Sequence, residues 1–268
     1  MKRKFILLVV ASMLFYSMNE VSAQINPDRQ WTAYRGILSS GVLDNANLPE
    51  TFDFMKMINI RWKTEVPGLG LSSPVIWGDK IFITSAVSQL DKEGFKPGIY
   101  GDITPVRDSS VHEWKVYCYD KNTGKMIWGE TAYKGIPKMK RHPKSTHANT
   151  SVATDGNFVV AFFGSEGLFC YNMNGKLVWQ KNFGLLKSVF FMVKSAEWEF
   201  ASSPIIYNGV LIIFIFSGFI SSIGKKMARS SANLNHFPSA SRKSFLAIFL
   251  NNHTFHVRGC KGRNGSRR

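Results

Sequence analysis

The chain has 268 residues, three cysteines and a formal net charge of +16. No Cys-x-x-Cys occurs, so the cysteines give no support to zinc or thioredoxin-like chemistry. The charge invites a nucleic-acid reading, but its distribution argues against a basic groove. Residues 216–268 hold ten Lys/Arg and no Asp or Glu, whereas 24–215 carry only +4. At the start, Lys2-Arg3-Lys4, the apolar run Phe5 to Met18 and Val21-Ser22-Ala23 read as a signal helix (1–23) with cleavage before Gln24. A membrane anchor competes with this, but the apolar run is short for a bilayer. The mature chain is expected in the periplasm or outside the cell, without a transmembrane anchor or a lipid-bearing Cys at the cleavage point.

Residues 24–66 form an N-terminal segment with Trp31-Thr32-Ala33-Tyr34-Arg35-Gly36 and the strand-like Ile60-Arg61-Trp62-Lys63. A recurring unit then begins. Ser72 to Ile83, Thr150 to Ala161 and Ser202 to Ile213 each place Gly-Asp, Asp-Gly or Asn-Gly between two apolar runs, a strong hairpin signal. A second unit follows the first two of these. Val116-Tyr117-Cys118-Tyr119-Asp120-Lys121-Asn122-Thr123-Gly124-Lys125-Met126-Ile127-Trp128 returns, one residue shorter, as Leu168-Phe169-Cys170-Tyr171-Asn172-Met173-Asn174-Gly175-Lys176-Leu177-Val178-Trp179. Together they predict four antiparallel strands per repeat: a β-propeller blade. The period is 52 residues from Ser151 to Ser203 and 78 from Ser73 to Ser151. The excess falls in Ser88 to Val111, read as a surface insertion.

These hairpins, running from Asp or Asn through Thr-Gly or Asn-Gly to Lys-x-x-Trp, resemble the repeat of the PQQ-like (pyrroloquinoline-quinone-like) β-propellers, in a secreted bacterial branch. The resemblance covers roughly Trp31 to Ile213. It implies that Trp128, Trp179 and Trp62 pack between blades, and that an N-terminal strand at Ile60 to Lys63 closes the ring. The family includes quinoprotein alcohol dehydrogenases, an outer-membrane assembly lipoprotein and many proteins with no known chemistry. Quinoproteins share a vicinal Cys pair, an Asp base and a carboxylate-bound calcium. No adjacent cysteines occur here, and no Asp or Glu matches the base or the metal ligands. No cofactor is therefore expected; PQQ with calcium belongs to the alternative reading of a quinoprotein oxidoreductase fragment. The leading reading is a non-catalytic binding or assembly scaffold. A protein, glycan or small ligand would sit at a propeller rim, with no nucleic acid as partner.

Several residues bear on chemistry. His142 and His147, spaced His-x4-His with Asn149 beyond and His112 as a possible third group, suit a transition metal or a general base. The resemblance makes His-x-Lys-Ser-x-His-Ala-Asn typical of a loop leading into the next blade, so the structural reading is preferred. Glu197 and Glu199 share a strand face, but a solvated edge explains them better. Gly164-Ser165-Glu166-Gly167 lacks nucleophile-elbow spacing and reads as a turn. Cys118 and Cys170, at equivalent places, read as small buried residues rather than a bridge. No catalytic, cofactor or metal residue is assigned.

After Phe214 the blade pattern stops. No Gly-Lys-x-x-Trp unit, Trp or Tyr follows. Blades therefore occupy 67–215, about two and a half of them, and 216–268 reads as a basic non-propeller tail. Its composition suggests a frameshifted or truncated member; a genuine basic arm binding nucleic acid or an anionic surface, and a short membrane segment, are the alternatives. An unclosed ring would expose sheet edges and an apolar blade face, which favours aggregation.

Overall fold

A computed structural model describes residues 25–44, 46–90, 105–106, 108–186, 188–189, 197–198, 200–214, 245–251 and 254–260. The signal segment and most of the insertion lie outside them. Among the described residues all regular structure is β, apart from three single-turn 3-10 helices. In the first sheet, β1 (Val75–Trp77), β2 (Lys80–Ser88), β3 (His112–Asp120) and β4 (Met126–Gly135) meander antiparallel in chain order. The second repeats this with β5 (Ala153–Thr154), β6 (Phe158–Phe162), β7 (Leu168–Asn172) and β8 (Leu177–Lys181). A two-residue pair, β9 (Ser188–Val189) with β10 (Glu197–Trp198), precedes a third sheet. That sheet holds β11 (Ile205–Tyr207), β12 (Val210–Ile213), β13 (Phe245–Asn251) and β14 (Thr254–Cys260). Among the described residues the architecture is an incomplete β-propeller with three four-stranded antiparallel sheets.

The third blade differs from the sequence expectation. The tail is expected to be non-propeller, yet Phe245–Asn251 pairs with β12 and with Thr254–Cys260. The physical reason is local: Phe245 to Leu250 is an apolar run able to pair, and β12 offers an open edge of backbone N–H and C=O groups. Trp and Gly-Lys markers identify the standard hairpin but are not required for ladder pairing.

The sequence repeat is also a geometric one. Cys118 lies opposite Trp128 and Cys170 opposite Trp179, and each ladder shifts register just after its cysteine. The missing residue is absorbed in the turn. The Gly124 N–H donates to the Asp120 carbonyl, whereas the Gly175 N–H donates to Asn172, one residue closer. In both turns the leading side chain organises the loop: Asp120 Oδ1 accepts from Asn122 N, Thr123 N and Thr123 Oγ1, and Asn172 Oδ1 from Asn174 N and Lys176 N. Each turn ends on a glycine with positive φ, 71° at Gly124 and 83° at Gly175.

Those glycines receive a tryptophan from the preceding unit. A Cβ on Gly124 would lie 2.5 Å from the Trp62 ring, and one on Gly175 2.8 Å from Trp128. Trp62 Nε1–H donates to the Lys121 carbonyl (2.8 Å) and Trp128 Nε1–H to Met173 (3.2 Å). Trp128 thus does the between-blade packing that the resemblance implies, Trp179 packs in the next layer against the third blade, and Trp62 packs on the outer face of the first blade. Ile60 to Lys63 joins no ladder among the described residues, so Trp62 docks by its side chain alone. With Val66 it covers Ile81, Tyr117 and Tyr119, an apolar face expected to be bare.

The core lies in layers between blades. Val75, Phe82, Trp114, Val116 and Cys118 meet Val152, Val159, Ala161, Phe169 and Tyr171. On the opposite face of the second blade, Val160, Phe162, Leu168 and Cys170 meet Leu211 and Ile213. Alternate residues of β6 therefore serve different layers, which is why Phe158 to Phe162 is continuously apolar. Serines stitch the blade openings: Ser73 N–H donates to Ser151 Oγ (2.7 Å), and Ser151 N–H to Ser203 Oγ (3.0 Å).

Cys118 and Cys170 are free and occupy different layers. Burial pushes each thiol up to about 12, which suppresses the reactive thiolate. Iodoacetamide at pH 8 is expected to leave both unmodified in the native chain and to alkylate both in denaturant, as read by peptide mass spectrometry. Native modification at either would mean that its layer opens.

Candidate functional site

The chemistry-bearing side chains gather where the insertion returns to the first blade. Val106 and Arg141 exchange two backbone hydrogen bonds, 2.8 and 3.1 Å, which ties the insertion's return limb to the β4–β5 connection. Asp108 follows on that limb, His112 is the first residue of β3, and His147 lies in the connection. Their ligand-capable atoms all fall within 4.8 Å of one another. The His112 and His147 rings meet edge-on at 5.0 Å, and Trp114 Nε1–H holds the His147 carbonyl at 2.8 Å.

Ser110 organises the group. Its N–H and hydroxyl both donate to Asp108 Oδ1, at 2.9 and 2.6 Å. Its carbonyl lies 3.0 Å from His112 Nδ1, and Asp108 Oδ2 lies 3.2 Å from His112 Nε2. Burial would raise the Asp108 carboxyl, but the Ser110 hydrogen bonds and the nearby imidazoles bring it below its usual range. Burial lowers His112, against the pull of the Ser110 carbonyl. Burial, reinforced by Arg141, pushes His147 down to about 4, while Glu166 and Asp108 oppose it. In both rings burial works against the charged form.

A serine, two histidines and an aspartate suggest nucleophilic catalysis, but the geometry is wrong for it. The Ser110 hydroxyl is engaged by Asp108, and its contact with His112 Nδ1 is long at 3.5 Å. A triad needs the histidine between the hydroxyl and the carboxylate.

The His-x4-His pairing is not formed. His142 turns away, accepts the Lys144 N–H at 3.0 Å through Nδ1 and stacks edge-on against Trp198 at 4.7 Å. His147 meets His112 instead. Asn149 is used locally: its Oδ1 accepts from Thr146 N–H and its Nδ2 donates to the Thr146 carbonyl. Gly164 to Glu166 form the turn between β6 and β7, with Ser165 Oγ and Leu186 exchanging hydrogen bonds. Glu197 lies in β10, and Glu199 falls outside the described residues. The Trp31 to Gly36 segment is a strap: Trp31 exchanges two hydrogen bonds with Ile76, and the Thr32 carbonyl accepts from Thr154 N–H of the next blade.

Sequence reading missed Asp108, Ser110, Arg141 and Glu166. The usable signal was Asp108-x3-His112 at the mouth of a strand, where a carboxylate and an imidazole fold back on one another.

Outside this group, one surface feature stands out. Residues 51–59 form a tight loop before the blades. Asp53 and Ile58 exchange two backbone hydrogen bonds of 3.0 Å, Asp53 Oδ1 accepts from Met55 and Lys56 N–H, and Asn59 Nδ2 donates to the Thr51 carbonyl. The loop and its approach display Leu48 (76% exposed), Phe52 (71%) and Met55 (86%), with Phe54 and Ile58 about half exposed.

No family model matches the chain, and no curated protein matches it. Among solved structures it is similar to BamB from Moraxella catarrhalis, at 13% identity and a TM-score of 0.40, over 74% of this chain and 42% of that one. It is also similar to a europium-containing methanol dehydrogenase, at 10% identity and a TM-score of 0.44, over 88% of this chain and 32% of that one. The chain thus spans less than half the length of either. No helix among the described residues is long and apolar enough to cross a membrane.

Proposed function

We propose that this chain is an exported binding scaffold, released after Ala23, whose blades carry a docking loop for a protein partner and which works without a cofactor or a reaction of its own. The observation that supports this most is the loop at 51–59. Large apolar side chains in water are unfavourable by about 25 cal/mol per Å² of area that could be buried. Here they are held outward by a loop that closes its own hydrogen bonds, so the display is built and not a frayed end. Large exposed apolar side chains gathered in one short loop are the kind of surface that marks protein contacts. Lys63 lies over the Phe54 ring at 5.3 Å and adds a cationic rim. The two histidines of the Asp108–His112–His147 group are buried in the blade junction.

The test is a photo-crosslinking amino acid placed at Met55, or at the exposed Lys134 as a control, in the producing cell. A discrete adduct at Met55 that disappears in Leu48→Glu/Phe52→Glu, with unfolding unchanged, is the expected result. Equal labelling from both positions, or dye-linked alcohol oxidation by the chain supplied with PQQ and calcium, would overturn it.

A further inference from the structure

We propose that Asp108, His112 and His147 form a binding site for one divalent transition ion of the zinc type, clipping the insertion to the junction between the first two blades. The hydrogen-bond pattern at His112 carries this. Nδ1 faces a carbonyl, Ser110 O at 3.0 Å, so Nδ1 bears the proton. Nε2 then presents a lone pair, and the atom facing it at 3.2 Å is another acceptor, Asp108 Oδ2. Two acceptors face each other stably only when a cation lies between them. That cation is a proton or a metal ion.

The distances suit the ion. A metal about 2.1 Å from a nitrogen and an oxygen holds those atoms roughly 3.0–3.4 Å apart at tetrahedral to octahedral angles. His147 completes the set within 4.8 Å, so a side-chain adjustment on the order of 1 Å brings it into the same shell. Two imidazoles and one carboxylate form a borderline-soft set that zinc and its neighbours prefer over calcium or magnesium. The outer shell is in place as well. Ser110 orients His112 through its carbonyl and occupies Asp108 Oδ1 with two donors, which leaves Oδ2 for the ion. Of the charges reaching His147, Glu166 and Asp108 favour a cation and Arg141 opposes it. The three ligands come from the insertion, the start of β3 and the β4–β5 connection, so one ion would join segments that only folding brings together. This inference is independent of the docking loop.

Chelator-stripped purified chain should take up one Zn²⁺ against a chromophoric competitor. Asp108→Asn, His112→Gln and His147→Gln should each weaken it at least about tenfold, as loss of a ligand does, with His142→Gln unchanged. X-ray absorption on the zinc-loaded wild type, which does not depend on the variants folding, should show two imidazoles and no sulfur. Lack of stoichiometric uptake, a sulfur shell, or binding that follows His142 and ignores His147 would overturn the site.

Discussion

Trp114→Ala should remove about 3–5 kcal/mol of stability, as truncating a fully buried large aromatic does. Trp114 has no exposed surface, sits in the layer between the first two blades and lies 5.3 Å from Tyr133 and 6.0 Å from His147. Its indole N–H also satisfies the His147 carbonyl at 2.8 Å, and orphaning a buried carbonyl adds about 1–3 kcal/mol. Against a typical domain stability of about 5–15 kcal/mol, the variant approaches the unfolding threshold. Trp114→Phe keeps most of the ring volume and loses the hydrogen bond, so it should fall between wild type and Ala. Urea unfolding of the three proteins, with a common slope, tests this. A Trp114→Ala midpoint equivalent to less than about 1 kcal/mol would show that the layer is not packed as described.

Gly156→Ala should be damaging despite adding one methyl. The residue has φ +87°, and a Cβ there would lie 2.2 Å from Trp77 Cε2 and Cζ2. Left-handed backbone penalises an L side chain by roughly 1–2 kcal/mol, and overpacking adds about 1–3 kcal/mol because the Trp77 ring must leave. The two contributions separate in a double mutant. In a Trp77→Ala background the clash vanishes and only the backbone penalty remains, so Gly156→Ala should be less harmful there by about 1–3 kcal/mol, the overpacking contribution. Strict additivity would mean that the ring does not rest on this turn in solution.

The repeat was legible because each of its parts is a local decision. Asp120 or Asn172 folding onto its own turn, Gly124 or Gly175 taking positive φ, and a β-branched or aromatic run on either side all depend on residues a few positions apart. The roles of Trp62 and Trp128 came from the resemblance to PQQ-like propellers, and for Trp128 the Lys-x-x-Trp after its glycine turn carried that resemblance. The third blade was only half legible, since Phe245 to Asn251 joins it by backbone pairing with β12, and Thr254 to Cys260 by pairing with Phe245 to Asn251 in turn. Backbone pairing leaves no side-chain motif to read.

The histidines show the limit most clearly. Sequence proximity suggested His142 with His147, five residues apart in one loop. Folding sent His142 to Trp198 and brought His147 to His112, while Val106 pairing with Arg141 delivered Asp108. These choices depend on which loops meet when two blades stack, and no periodicity encodes that. The amino-acid sequence alone determined the blade, its turns, its tryptophan seams and the direction in which the β6 side chains bury, because strand alternation and turn chemistry act over a few residues. Only the tertiary structure decided the Asp108–His112–His147 cluster, the cover over the first blade's outer face and the completion of the third sheet. Those depend on long-range closure, which is settled by the packing of whole blades against one another.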